Sequence, residues 1–272
     1  MTASNPMSLP DPWSLVSSGY VTDTKPLFEQ YCHQAMKLLG YDGKGEVLDV
    51  ACGPGTLSLL LRNDKVNIQA IDFSQGMLDC FNKLIEQQQA NNITTTLMDG
   101  QNLEFDDNRF DWAFSIFGLM FFPDRIQGFR ELHRTLKPGG RAAVTSWAPV
   151  SESPLMQLMF SAIGTAFPAK TESMPEKILN LEDPDNFKNE MQQAGFSNVH
   201  VTSFDGKWQV TDAEEFLDSM IRGSAPIVML KSRFDEAAWQ EKRTIMLDYL
   251  RAQMTDLPVI LTARAYIGTG EK

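Results

Sequence analysis

The chain has 272 residues, with 24 Lys and Arg against 35 Asp and Glu and a net charge of −11. That length suits one large domain or two small ones, and an acidic balance with no Lys/Arg cluster argues against a nucleic-acid partner. Three cysteines, Cys32, Cys52 and Cys80, are odd in number and form no CxxC pair, which argues against a disulfide framework or a structural zinc site and suits a reducing cytoplasm.

The first residues, "MTASNPMSLPDPW", have neither a basic nor an apolar leader region, and no apolar run is long enough to span a bilayer. Residues 1–24, rich in Pro, Ser and Thr, read as irregular. Residues 25–39 repeat Leu27, Tyr31, Ala35 and Leu38 at helical spacing, and Gly40 stops that helix. "EVLDVA" is a short buried-type strand, followed by the turn "CGPGT" and a helix "LSLLLRN". "NIQAIDF" is a second strand, and Ser74 is the N-cap expected for the amphipathic helix "QGMLDCFNKLIEQQQA". "ITTTLMD" and "FDWAFSIFG" are the third and fourth strands. "RIQGFRELHRTL" is a helix stopped by "KPGG", and "RAAVTSWA" is the fifth strand. Strands separated by helices at this spacing imply a parallel sheet covered on both faces.

Beyond Ala148 the rhythm changes. Prolines punctuate residues 149–184 around a Met-rich helix "SPLMQLMFSAIGTAF". A helix over 185–195, a strand "FSNVHVTSFDGKWQV", helices near 212–222 and 235–254, and a last strand "VILTARAYIG" complete the chain. The fold class expected is α/β: a Rossmann-like, seven-stranded, mostly parallel sheet with the last strand antiparallel, helices on both faces and helical lid insertions. Residues 1–272 form a single domain on this reading. Segment 1–40 is an N-terminal lid, and 149–183 and 212–254 are helical insertions on the acceptor side.

The first three strands each end in an acid, Asp49, Asp72 and Asp99, so all three fall on the carboxyl rim of the sheet, where ligands bind in such folds. Gly53 and Gly55 bare the backbone at a helix start, which favours an anion. A dinucleotide fits part of this pattern: Asp72 lies 17 residues past Gly55, but Ser58 stands where the fingerprint has a third small residue. From these residues alone, a nicotinamide cofactor and other nucleoside cofactors stay equally open.

The blocks "VLDVACGPGT", "IDFS", "MDGQNLEFDDNRFD", "FGLMFFPD" and "ELHRTLKPGGRAAVTSW", in that order and spacing, resemble the class I S-adenosylmethionine-dependent methyltransferases. The likeness is greatest to the small-molecule group of ubiquinone/menaquinone-type C-methyltransferases, and it covers residues 45–148 well and the flanks loosely. It implies S-adenosyl-L-methionine as cofactor. Asp49, Ala51, Gly53 and Gly55 would hold its methionine part. Asp72 would accept the ribose hydroxyls with Phe73 and Met77 beside the adenine, and Asp99, Gly100 and Gln101 would receive the adenine amino group. Ser115 to Gly118, with Phe117, would sit beside the reacting methyl, and Tyr20 would fold over the cofactor with Trp13. Ala51 departs from the family, many members of which carry a glycine there.

The function this implies is methyl transfer to a small, apolar or aromatic acceptor, with the atom methylated open. The alternatives are an NAD-dependent oxidoreductase and a non-catalytic module that keeps the cofactor pocket. No catalytic residue is singled out, because an activated sulfonium needs alignment more than acid or base. His33, His133 and His200 look like surface or packing residues, Cys52 like packing, and no metal site is expected. The partner expected is a small-molecule acceptor, with no nucleic acid and no membrane span; a homodimer is left open.

Overall fold

The computed structural model describes residues 6–168 and 180–272; Pro175 and the rest of 169–179 in the first insertion lie outside the described residues. Seven strands form one sheet in the order β3-β2-β1-β4-β5-β7-β6. They are β1 (Lys44–Val50), β2 (Lys65–Asp72), β3 (Ile93–Leu97), β4 (Phe110–Ile116), β5 (Leu136–Trp147), β6 (Ser197–Val210) and β7 (Val259–Glu271). β1 to β5 pair in parallel, and β7 runs antiparallel between β5 and β6.

The strands are apolar on both faces because both faces are covered. Leu48, Ala113 and Val144 point into one core, while their chain neighbours Val47, Phe114 and Ala143 point into the other. The second core packs α2 (Lys25–Leu39), α3 (Thr56–Leu60) and α4 (Gln75–Gln88) through Ala35, Leu57 and Phe81. The first packs α5 (Arg125–Thr135), α6 (Pro154–Ala166) and α7 (Pro184–Gln193) through Phe129, Leu155 and Phe187. Ser74 caps α4 as its sequence suggests, accepting a hydrogen bond from the amide of Met77 at 3.3 Å.

Four sequence expectations need correcting. Residues 10–24 are helical, not irregular: α1 (Pro10–Gly19) passes through a π turn (Tyr20–Thr24) straight into α2. Pro10 and Pro12 are tolerated because the first turn of a helix has no partners for their missing N–H groups. β3 stops at Leu97, so Asp99 sits in the turn beyond it. The Pro138–Gly140 stretch is part of β5: pairing with β4 jumps from Phe110↔Leu136 to Trp112↔Arg141, leaving a bulge. Finally, a short helix α9 (Ala225–Lys231) lies between α8 (Ala213–Gly223) and α10 (Glu236–Gln253); Pro226 at its start disguises it as a loop.

α1 is docked, not loose. It packs on α4, α8 and α9. Gly19 is where it meets α8, and a Cβ there would lie 2.2 Å from the Arg222 carbonyl oxygen. In the π turn, Asp23 accepts two hydrogen bonds of 2.8 Å from the Arg222 guanidinium. The Ser14 hydroxyl lies 2.8 Å from that of Ser74.

Candidate active site

β1 is flanked by β2 on one side and β4 on the other, and their chain continuations leave the sheet in opposite directions, so the rim between them opens into a crevice. A cavity of about 290 Å³ occupies it. Its floor is the carboxyl rim: Asp49, Ala51, Cys52 and Gly53 after β1, Asp72 and Phe73 after β2, Asp99, Gly100 and Gln101 after β3, and Ile116, Phe117 and Gly118 after β4. Its roof is the N-terminal segment, through Met7 ahead of α1, Trp13 on α1, Tyr20 in the π turn and Phe28 on α2, and Phe121 and Phe122 form a side wall. Trp13 packs on Phe121 with ring centroids 5.0 Å apart, and the Ser8 hydroxyl donates to the Phe121 carbonyl at 2.9 Å, which latches roof to wall.

The two inner carboxylates are almost wholly buried, Asp49 at 1% and Asp72 at 5% exposure. Burial pushes the Asp49 carboxyl up to about 7, against the pull of a 2.6 Å hydrogen bond from the Ser58 hydroxyl. Burial pushes Asp72 up to about 6, opposed by 2.8 Å hydrogen bonds from the amides of Gly53 and Ser74. Asp99 is exposed and accepts from the Gln101 amide at 2.9 Å, so it is a turn residue as well as a lining one. Burial, and then the charge of Asp72, raise the Tyr20 phenol above its usual range.

Of the residues singled out in the sequence, Asp49, Ala51, Gly53, Asp72, Phe73, Met77, Asp99, Gly100, Gln101, Phe117 and Tyr20 all line this cavity. Two do not. Gly55 faces helix α4, where a Cβ would sit 2.0 Å from the Phe81 ring, so its bare backbone serves packing. Ser115 is buried behind the rim, its hydroxyl accepting from the Leu119 amide at 3.1 Å. His33, His133 and His200 stay away from the cavity, and no described residue of 149–183 or 212–254 lines it. Those insertions instead pack on one another, α6 against α10, and support the roof through α8 and α9. The Met-rich helix α6 therefore packs as core away from this cavity, which is closed by the roof and the Phe117–Phe122 loop.

Sequence reasoning missed Ser58 as the partner of Asp49, and Phe28 and Met7 as roof. Cys52, expected to be packing, does belong to the second core and also reaches the rim of the cavity. Helical spacing in 25–39 places Phe28 beside Tyr31 and was the one available signal for it. The glycine fingerprint marks Ser58 only as a departure from its third position and gives no sign that its hydroxyl meets Asp49.

The rim backbone is strained at two places. Ala51 has φ 55° and Phe117 has φ 58°, both in the left-handed region that favours glycine. Ala51 therefore stands where a glycine would be easier, and Gly118 faces it: a Cβ on Gly118 would come within 2.3 Å of the Ala51 Cβ. The Thr145 hydroxyl accepts from the Phe117 amide at 2.8 Å and helps hold that conformation. Behind the cavity end, Tyr20 stacks on Phe28 at 5.2 Å and Phe117 on Trp147 at 4.1 Å.

The donor set fits an adenosyl amino acid. Acids on the rim suit an ammonium and ribose hydroxyls, and the open backbone at Gly53, where a Cβ would meet nothing within 4 Å, suits close approach. Comparison with known proteins agrees. A methyltransferase-domain family model matches residues 47–140. The ubiquinone/menaquinone biosynthesis C-methyltransferase UbiE of Geobacter sp. (strain M21) is 32% identical over 178 residues, 61% of this chain and 76% of that protein. Among solved structures, the YcgJ protein from Bacillus subtilis superposes with a TM-score of 0.59 at 16% identity, covering 89% of this chain and 98% of that one. Phosphoethanolamine N-methyltransferase 2 of Haemonchus contortus in complex with S-adenosyl-L-methionine gives 0.56 at 17% identity, covering 89% and 52%. None of these supports an oxidoreductase.

Proposed function

This chain belongs to the small-molecule class I S-adenosylmethionine-dependent methyltransferases, and from that premise we propose that its acceptor is a small, neutral, aromatic molecule of the quinol type. The observation that carries this is the chemistry of the cavity end. Tyr20, Phe28, Phe117, Phe121 and Phe122 wall it, and no Lys, Arg or His lines the cavity among the described residues. Aromatic walls favour a flat apolar partner. With no cationic side chain on the lining, an acceptor bearing a phosphate or carboxylate would find no counter-charge there. The quinone named for the Geobacter relative has the favoured character.

When bound, the cofactor supplies a methyl group already activated by the positive charge on sulfur. What remains for the chain is binding, orientation and exclusion of water. On this reading Asp49 and the Gly53 turn hold the amino-acid end, and Asp72 accepts the ribose hydroxyls. Phe73 and Met77 flank the adenine, and Asp99 receives its amino group beside Gly100 and Gln101. Tyr20, Phe28 and Phe117 align the acceptor, and the roof helix keeps water out. A volume of about 290 Å³ is at the low end for one small-molecule site, so donor and acceptor together require the roof to move. The three cysteines are free, which supports a reducing compartment, and we place the enzyme in the cytoplasm.

The test is release of S-adenosylhomocysteine with a panel of acceptors: tail-free benzoquinols and naphthoquinols, phosphoethanolamine, and glycine derivatives. Turnover confined to the quinols is the expected result; turnover of the phosphorylated or carboxylated acceptors alone would overturn it.

A further inference from the structure

Ser58 is wholly buried, on the first turn of α3, and its hydroxyl is 2.6 Å from Asp49 Oδ2. Gly55, left-handed at the N-cap of α3, aims that first turn back at the end of β1, which is what brings residue 58 over residue 49. An alanine in the same place would pack as well but would leave the carboxylate with one fewer donor in a nearly water-free setting.

We propose that Ser58 is a positioning residue for the methyl donor, its hydroxyl fixing the Asp49 carboxylate toward the cavity so that it receives the donor's ammonium. The inference rests on the assignment of Asp49 to that ammonium. The groups around Asp49 make its hydroxyl partner matter. Asp72, Cys32 and Cys52 are the titratable groups that act on it or on which it acts, and all are acids. Among the described lining residues no cation is present to keep Asp49 ionised. The Ser58 hydroxyl and the Ser58 backbone are what oppose burial. Ser58 therefore sets the pH at which the empty site becomes ready for a cation, and a ligand without an ammonium should be indifferent to it.

The experiment is calorimetric titration of the full chain with S-adenosylhomocysteine and, separately, with 5′-methylthioadenosine, which lacks the amino acid, between pH 6 and 8.5. For Ser58→Ala the expected result is affinity for S-adenosylhomocysteine about fivefold weaker near pH 7, approaching tenfold toward pH 6 and recovering as pH rises, as expected for an upward move of the Asp49 midpoint from about 7 to about 8. Affinity for 5′-methylthioadenosine should not change, and Ser58→Thr should restore the wild-type profile. Equal weakening toward both ligands at every pH would mean a merely structural serine and overturn the proposal. Asp49→Asn separates the two layers. If it weakens S-adenosylhomocysteine and Ser58→Ala does not, the Ser58 inference alone falls. If Asp49→Asn has no effect, the ammonium assignment falls and takes the inference with it.

Discussion

Asp49 and Asp72 hold protons in the folded, ligand-free chain at pH values where the unfolded chain has lost them, since burial raises them to about 7 and about 6. Folding therefore takes up protons between the unfolded carboxyl range near 4 and these values. The sign follows: stability from these two groups is greatest below that window and falls as pH rises through it, the Asp72 share ending near 6 and the Asp49 share near 7. Chemical denaturation of the ligand-free protein at pH 5 and pH 8 should show a loss of at least ~1 kcal/mol, and Asp49→Asn should reduce it to the Asp72 share. A cationic ligand opposes the slope by favouring the ionised forms. The strained rim is testable in the same way. Gly118→Ala should cost ~2 kcal/mol or more through the clash with Ala51, and Ala51→Gly in the same chain should recover most of that, a coupling that a double-mutant cycle reads directly. Much of this site was legible because acids at strand ends and glycines in turns are local signals. Ser58 was not, since its meaning depends on a left-handed N-cap that folds α3 back onto β1. Gly55 was misread for the same reason: a bare backbone looks alike whether a ligand or Phe81 lies against it.

At the scale of elements, the proposed function makes the roof the part on which ligand retention depends. Gly19 is in helical backbone, so Gly19→Ala raises helix propensity by about 1 kcal/mol yet drives a methyl into the Arg222 carbonyl. The expected outcome is a helix of equal or greater content by circular dichroism with affinity for S-adenosylhomocysteine reduced at least tenfold; unchanged affinity would show that α1 need not seat on α8. The sheet and its covering helices were readable from periodicity alone, because strands buried on both faces and amphipathic helices carry repeating patterns. The roof helix was not. Its Ser, Thr and Pro content has weak intrinsic preference for helix, and docking on α4, α8 and α9 decides its form. α9 was hidden in the same manner. The Met-rich stripe of α6 was ambiguous in sequence, since core and ligand pocket ask for the same side chains, and the structure assigns it to packing against α10.

Across the whole molecule, two kinds of construction meet at one crevice. The sheet contributes rigid strand ends, spaced by pairing register, that carry the charged and polar contacts. The helical additions contribute no lining residue of their own among those described, but they carry the roof that does. Under the proposed function, donor recognition falls to the sheet and acceptor choice to what is laid over it, a division that lets one frame serve many acceptors. The π turn is the joint between the two. An α-helix advances about 100° per residue, and a π turn accommodates one residue more than a regular turn. Because the surplus residue is taken up within one turn, removing a single residue from Tyr20–Thr24 would leave one straight α-helix with Trp13 still turned to the crevice. What the surplus residue supplies is the widened turn on which Asp23 meets Arg222, the clamp between the N-terminal rod and α8.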